Sequence, residues 1–227
     1  MKNKTIVIIL AGGEGKRFGL SKQFISIHNI PLFIYTLKKF KNYQVILTIP
    51  EEYKDLVENN IKSNNCSKNI VIIKGGNTRK KSCYNALTYI NNNYPKCENV
   101  IITEANRPCI KKETISKCIN KLNKCDALIT ACKSINTSCI SKDKKTLKNL
   151  LDRTYQYDLL MPEGFKFKKL YNAYQKVNKD TTSIIEIFQF AYPDNKIGII
   201  SIPLWEGLKL TYAEDYKIFE MLLKKEK

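Results

Sequence analysis

The sequence predicts an α/β fold, a mostly parallel sheet with helices on both faces, and three observations carry that reading. Short β-branched runs alternate with longer amphipathic stretches, a glycine cluster follows the first run directly, and one polar segment, 133–164, breaks the rhythm. Strands are expected at Ile6 to Leu10, Gln44 to Ile49, Ile70 to Lys74, Val100 to Thr103, Ala127 to Ala131 and Lys196 to Ile202. Helices are expected between them at Pro31 to Phe40, Glu51 to Ile61, Arg79 to Asn92, Lys112 to Leu122, Phe167 to Val177 and Ala213 to Lys224. Those beginning at Pro31 and just after Pro50 use proline's tolerance in a first helical turn. Within 133–164 the turn-like Ser141-Lys142-Asp143-Lys144-Lys145 has alternating residues on either side, Ser138, Cys139, Ile140 and Thr146, Leu147, Lys148. A β-hairpin arm projecting from the main sheet is therefore expected over 133–164. Inserted arms of this kind serve dimer contacts or cover a site. With 227 residues, 43% of them hydrophobic, the chain is expected to form a single domain over 1–227.

Composition narrows the function classes. With 39 Lys and Arg against 21 Asp and Glu, the formal charge of +18 attracts polyanions of any kind. The cations are scattered through stretches such as Lys38, Lys39 and Lys41 or Lys142, Lys144 and Lys145, which read as solvated faces. A basic nucleic-acid-binding domain is the competing class, but the chain has no recognisable reading module, so no nucleic-acid partner is expected. The apolar run after Lys4 meets glycines too soon for a signal core or a membrane span, which predicts a cytoplasmic protein with no membrane partner. The 8 cysteines include no C-x-x-C pair and read as free thiols, and the seven-residue spacing of Cys118, Cys125, Cys132 and Cys139 reads as coincidence. A single histidine, His28, argues against a Cys/His zinc site or a Ser-His-Asp triad.

The chemistry begins at the glycine cluster. Leu10-Ala11-Gly12-Gly13-Glu14-Gly15-Lys16-Arg17-Phe18-Gly19 follows a strand of buried type. Glycines there let backbone N–H groups approach phosphate oxygens closely. The spacing is neither that of a Walker A loop nor that of a dinucleotide fingerprint. Arg17 within the loop and Lys22 just beyond it add two cations able to reach a triphosphate and neutralise charge as it develops.

Taken with four further motifs, this loop resembles the nucleotide-binding signature of the cytidylyltransferases that act on 2-C-methyl-erythritol 4-phosphate and ribitol 5-phosphate. Gly75-Gly76-Asn77-Thr78-Arg79-Lys80-Lys81-Ser82 is similar to that family's Gly-Gly-x-x-Arg-x-x-Ser, and Thr103-Glu104-Ala105-Asn106-Arg107-Pro108 to its His-Asp-Ala-x-Arg-Pro. Asp152-Arg153, with Pro162 and Phe165, resembles the base of its arm, and Leu208-Lys209-Leu210-Thr211 with Glu214-Asp215 its C-terminal segment. The resemblance spans almost the whole chain. It implies a Rossmann-like fold, a homodimer formed through the arm, Mg²⁺ as cofactor, and CTP and a phosphorylated small-molecule acceptor as partners. It further implies catalytic roles for Arg17, Lys22 and Lys209, and nucleotide contacts from Leu10, Ala11, Gly12, Gly13, Gly15, Gly75, Gly76, Asn77, Ser82 and Ala105. Arg107, Thr137 and Arg153 would hold the acceptor phosphate, the latter two from a partner's arm, and Glu104 would be the metal-side carboxylate.

Departures from the pattern cluster around the acceptor and the metal. Glu104 replaces Asp, Asn106 a small residue, Thr103 a histidine and Gly207 an asparagine, while the stretch from Arg17 to Lys22 is about two residues shorter, with Ser21 in place of proline. The expected reaction is CMP transfer from CTP to ribitol 5-phosphate or 2-C-methyl-D-erythritol 4-phosphate. The loop and the arm turn lean toward the former, and another phosphorylated or phosphonylated surface-polymer precursor stays open as acceptor. Glu206 reads as a solvated carboxylate and Trp205 as a packing residue.

Overall fold

The structure, a computed structural model, describes residues 4–12, 24–66, 69–179, 181 and 183–223. In chain order its elements are β1 (Thr5–Leu10), β2 (Ser26–Ile27), β3 (Ile30–Pro31), α1 (Leu32–Lys39), β4 (Gln44–Ile49), α2 (Lys54–Ser63), β5 (Ile70–Lys74), α3 (Arg79–Asn93), β6 (Asn99–Glu104) and α4 (Lys112–Lys121). There follow β7 (Ala127–Lys133), β8 (Cys139–Ile140), β9 (Asn149–Leu150), β10 (Tyr157–Lys166), α5 (Phe167–Lys176), α6 (Ile184–Ala191), β11 (Ile197–Ser201) and α7 (Asp215–Leu223). A seven-stranded sheet runs in the order β11-β7-β10-β6-β1-β4-β5. Every neighbouring pair is parallel except the two that β10 makes, with β6 and with β7.

Alternation along the strands sends side chains into two separate cores. Ile6, Ile8, Val100 and Ile102 pack under α3, α5 and α6, while Val7, Ile9, Val45, Leu47 and Ile101 pack under α1, α2 and α4. Central strands covered on both faces have no polar side to show, which is why β1 reads as an unbroken apolar run. A smaller cluster seats α7 on the β2–β3 hairpin, whose turn places His28 and Asn29 at φ 50° and 63°.

The six expected strands are all present, as are the six expected helices, with shifted ends and with a 3₁₀ turn, Glu51–Tyr53, opening the second helical stretch. The expected arm, 133–164, is longer than the projecting segment. Tyr157–Lys166 form β10, which lies inside the sheet with Leu160 to Phe165 buried, so only 134–156 stand clear of it. The cause of the misreading is composition, because Pro162, Glu163 and Gly164 are all depleted from strand interiors. A register shift between Leu160 and Glu163 accommodates Pro162. Gly164 is needed there because a Cβ would lie 3.1 Å from both Ile101 Cδ1 and Leu128 Cγ. Helix α6 is the other omission: Ile184, Ile185, Ile187 and Phe188 form a buried face, but eight residues give that face only about two turns in which to repeat.

Candidate active site

The sheet changes direction at β1, whose neighbours β4 and β6 are reached by connections running opposite ways, and ligands of open α/β sheets gather outside the strand ends at such a point. Leu10 lies in register with Thr48 of β4 and Glu104 of β6, so three carboxyl-terminal strand ends line up. Past them the chain is stitched together: Ala11 N–H donates to Thr48 O at 2.9 Å, Ala105 N–H to Leu10 O at 3.0 Å, and Thr36 Oγ1 to Ala105 O at 2.8 Å.

Gly12 and the Gly75-Gly76 turn meet at the Ser82 hydroxyl. A Cβ on Gly12 or on Gly75 would lie 3.2 Å from Ser82 Oγ, and one on Gly76 would lie 2.2 Å from Lys81 Cγ. Ser82 Oγ accepts from Gly76 N–H at 3.0 Å and has Gly76 O and Thr78 O within reach of its own proton. Ser82 is buried, and its hydroxyl is engaged within the turn. Thr78 caps α3 by accepting from Lys81 N–H at 3.1 Å, and Asn77 stands exposed beside it. The two glycine loops that the sequence puts 63 residues apart (75 − 12) are thus one surface.

Beside that surface lies a buried cluster of charge. Glu104 ends β6 on the face beneath α3 and binds Lys209 Nζ at 2.8 Å, Arg107 Nε at 2.8 Å and, more loosely, Arg79 Nε at 3.5 Å. Burial would raise its carboxyl pKa, but Lys209, Arg107 and Arg79 together outweigh burial and hold it at about 2. Asn106 ties in the strand-like segment that carries Lys209, accepting from Leu210 N–H at 3.1 Å and donating Nδ2–H to Leu210 O at 2.8 Å. Arg107 also donates to Gly207 O. A side chain at 207 would meet Leu160, whose Cβ is 2.8 Å from the position of an added Cβ, which accounts for the glycine. Three cations around one carboxylate leave net positive charge at the strand ends, fixed in place for phosphate oxygens.

Of the residues expected from sequence, Leu10, Ala11, Gly12, Gly75, Gly76, Asn77, Ser82, Glu104, Ala105, Arg107 and Lys209 are found at these converging strand ends and loops. Gly13, Gly15, Arg17 and Lys22 lie outside the described residues. Thr137 and Arg153 stand exposed in the arm, where Arg153 donates to Ile135 O at 3.1 Å. Glu206 is not solvated as expected: it is 2% exposed and accepts from Lys111 N–H at 3.1 Å, holding the start of α4. Trp205 is not packed away either, being 40% exposed with Lys111 Nζ 4.9 Å above its ring. Sequence reasoning missed Met161, Glu163 and a role for Arg79, which the β10 bulge and α3 bring to the cluster. The available signal was a carboxylate between proline and glycine in a stretch flanked by Leu160 and Phe165. Among the described residues no group of three or more His, Cys, Asp or Glu is arranged for a metal, and no helix is long and apolar enough to cross a membrane. Cys83, Cys97 and Cys118 are inert by the same physics, burial pushing each thiol up to about 12.

Known proteins place this geometry in context. The family model described as 2-C-methyl-D-erythritol 4-phosphate cytidylyltransferase matches residues 5–225. An enzyme of that name from Thermosipho melanesiensis is 33% identical over 177 residues, covering 76% of this chain and 77% of its own. A ribitol-5-phosphate cytidylyltransferase from Lacticaseibacillus paracasei is 25% identical, covering 96% and 97%. The crystal structure of a 4-diphosphocytidyl-2C-methyl-D-erythritol synthase from Anaerococcus prevotii superposes with a TM-score of 0.84 at 26% identity, covering 97% of this chain and 96% of that one. Five ordered motifs, the switch-point loops and the cationic strand ends agree with these matches: the chain belongs to the 2-C-methyl-D-erythritol 4-phosphate cytidylyltransferase family.

Proposed function

We propose that the chain transfers CMP from CTP to a phosphorylated polyol, either 2-C-methyl-D-erythritol 4-phosphate or ribitol 5-phosphate, and releases pyrophosphate. The observation that carries this reading is the convergence of Lys209, Arg107 and Arg79 on Glu104 at the switch point, next to two glycine loops joined through Ser82. An acceptor phosphate oxygen attacks the α-phosphorus of CTP in line, the new P–O bond forms as the bond to the β-phosphate oxygen breaks, and no covalent enzyme intermediate is required. Lys209, with Arg17 and Lys22 from the first loop, neutralises the charge that builds on the phosphoryl oxygens. Arg107 holds the acceptor phosphate, and Thr137 and Arg153 reach it from the arm of a second copy. The Gly75-Gly76 turn offers main-chain groups to cytosine.

Both oxygens of Glu104 are engaged by Lys209, Arg107 and Arg79, so Glu104 would hold a Mg²⁺ brought with the triphosphate only by giving up one of those cations. When bound it would supply charge neutralisation between the phosphates. Exposed apolar side chains along the arm, with Ile135 at 73% and Leu150 at 65%, support a homodimer. The test is incubation with Mg²⁺, each nucleoside triphosphate and both polyol phosphates, following pyrophosphate. Release only with CTP and one of these acceptors is expected, in the cytoplasmic setting this reading assigns. Silence with CTP and every phosphorylated acceptor would sink it.

A further inference from the structure

Helix α3 opens on three consecutive cations, Arg79, Lys80 and Lys81, and has no acid in its first turn. Cations at a helix N-terminus oppose the helix dipole, so the acid that offsets them must come from elsewhere. For Arg79 it comes from the sheet below. Glu104 supplies one carboxylate, but it is shared three ways and Arg79 is the longest leg. The second is Glu163. It lies in register with Ile102 of β6, and so on the same sheet face as Glu104 two residues further on. It is 4% exposed, and its Oε2 has no hydrogen-bond partner among the described residues. The strand that carries it already touches the arginine, since Arg79 donates to Met161 Sδ at 3.6 Å.

A buried carboxylate left without a close partner is a poor stabiliser, and an apolar residue at 163 would suit a central strand better. Burial is the main cause that holds the Glu163 carboxyl up at about 7, against the downward pull of Arg79 and Arg107 and with a further push from Glu104. Glu163 therefore sits on the sheet face that Arg79 covers, next to the Met161 contact, while costing the fold. We propose that Glu163 is a positioning residue, holding Arg79 over the sheet face beside Glu104 and through it fixing the turn from Gly75 to Ser82.

The nucleotide consequence rests on the proposed function, which gives that turn to cytosine. The backbone consequence does not. Three bonds report on the turn directly: Gly76 N–H to Ser82 Oγ, Lys81 N–H to Thr78 Oγ1, and Ser82 N–H to Thr78 O.

The test compares Glu163→Gln, Arg79→Met and the double variant in buffer near pH 8, in two ways. In the free protein, hydrogen exchange at Gly76, Lys81 and Ser82 is expected to speed up about tenfold in each variant, with no further gain in the double. In turnover, KM for CTP is expected to rise about tenfold while kcat stays within about twofold. A purely structural role would lower the unfolding midpoint without separating KM from kcat. Unchanged exchange across 75–82 in Glu163→Gln, or additive effects in the double variant, overturns the proposal. A wild-type protein that turns over no CTP defeats the proposed function instead, and the exchange result alone then decides the role of Glu163.

Discussion

The cluster around Glu104 and the arm at 134–156 are held by opposite kinds of bonds. In the cluster, Lys209 meets Glu104 across 105 residues, Asn106 meets Leu210 across 104 and Arg107 meets Gly207 across 100. In the arm, Asp143 accepts from Ser141 Oγ and from the Lys145 and Thr146 N–H groups two or three residues away, and Asp152 accepts from Thr154 N–H. The cluster centres on a buried Glu104 paired through contacts between distant segments, whereas the arm's polar groups are locally satisfied and its apolar groups face outward. Folding completes the first region. The second leaves Ile135, Leu147 and Leu150 exposed, so damage to the cluster should register in stability and chemistry, and damage to the arm, on the dimer proposed above, in assembly.

The sharpest break is Glu104→Ala, which removes the one carboxylate paired with Lys209, Arg107 and Arg79. It is expected to cost about 3–5 kcal/mol in urea unfolding near neutral pH, the range for breaking a buried ion pair. The same carboxylate sets an acid limit. Its folded pKa of about 2 lies below the ordinary 4.5, so its contribution is full above pH 4.5 and is lost as pH falls toward 2. Glu163 acts with the opposite sign. Its folded pKa of about 7 lies above 4.5, so its contribution is present below 4.5 and lost as pH rises through 7. Unfolding across pH is expected to show both slopes in the wild type and only the acid one in Glu163→Gln. A Glu104→Ala protein as stable as the wild type would mean that the cluster is held by something other than its carboxylate.

Lys209→Ala separates chemistry from stability within the cluster. Lys209 is partly exposed and is one of three cations on Glu104, so the fold should tolerate its loss. The transition state is expected to lose about 2–4 kcal/mol, read as kcat/KM, and Lys22→Ala should fall in the same range. Retention of full activity in Lys209→Ala would remove the role assigned to it. Gly207→Ala is a smaller probe of the same segment. The added methyl meets Leu160 Cβ at 2.8 Å, and relief of that contact is expected to cost about 1–3 kcal/mol while pulling the Gly207 carbonyl off Arg107.

Legibility in the sequence follows the same division. Strands covered on both faces announce themselves as apolar runs, and register carries the motif residues at their ends together: once β1 and β6 pair, Leu10 and Glu104 are neighbours. What stayed hidden depended on packing between distant segments. Nothing in the order of residues says that Glu206 turns inward to hold Lys111 N–H, or that Gly207 is a glycine because Leu160 occupies its side-chain space. β10 was misread as arm because Pro162 and Gly164 are local breakers, and only the bulge and the crowding against Ile101 and Leu128 make them fit.

The smallest effect on the fold is expected where the comparison says that the fold is already complete. Leu147 and Leu150 flank the arm turn at 60% and 65% exposure, and neither belongs to the buried clusters. Replacing both by aspartate should leave the unfolding midpoint of the isolated chain where it was. If two copies meet through the arm, the same change buries like charges at their interface and shifts the protein to monomer in sedimentation equilibrium. Activity should then fall through the acceptor, because Arg153 and Thr137 no longer reach a neighbouring site, and the KM for the polyol phosphate should rise more than that for CTP. A wild-type protein that sediments as a monomer and is fully active would show that the site closes within one chain, and would leave the exposed apolar arm to some other contact.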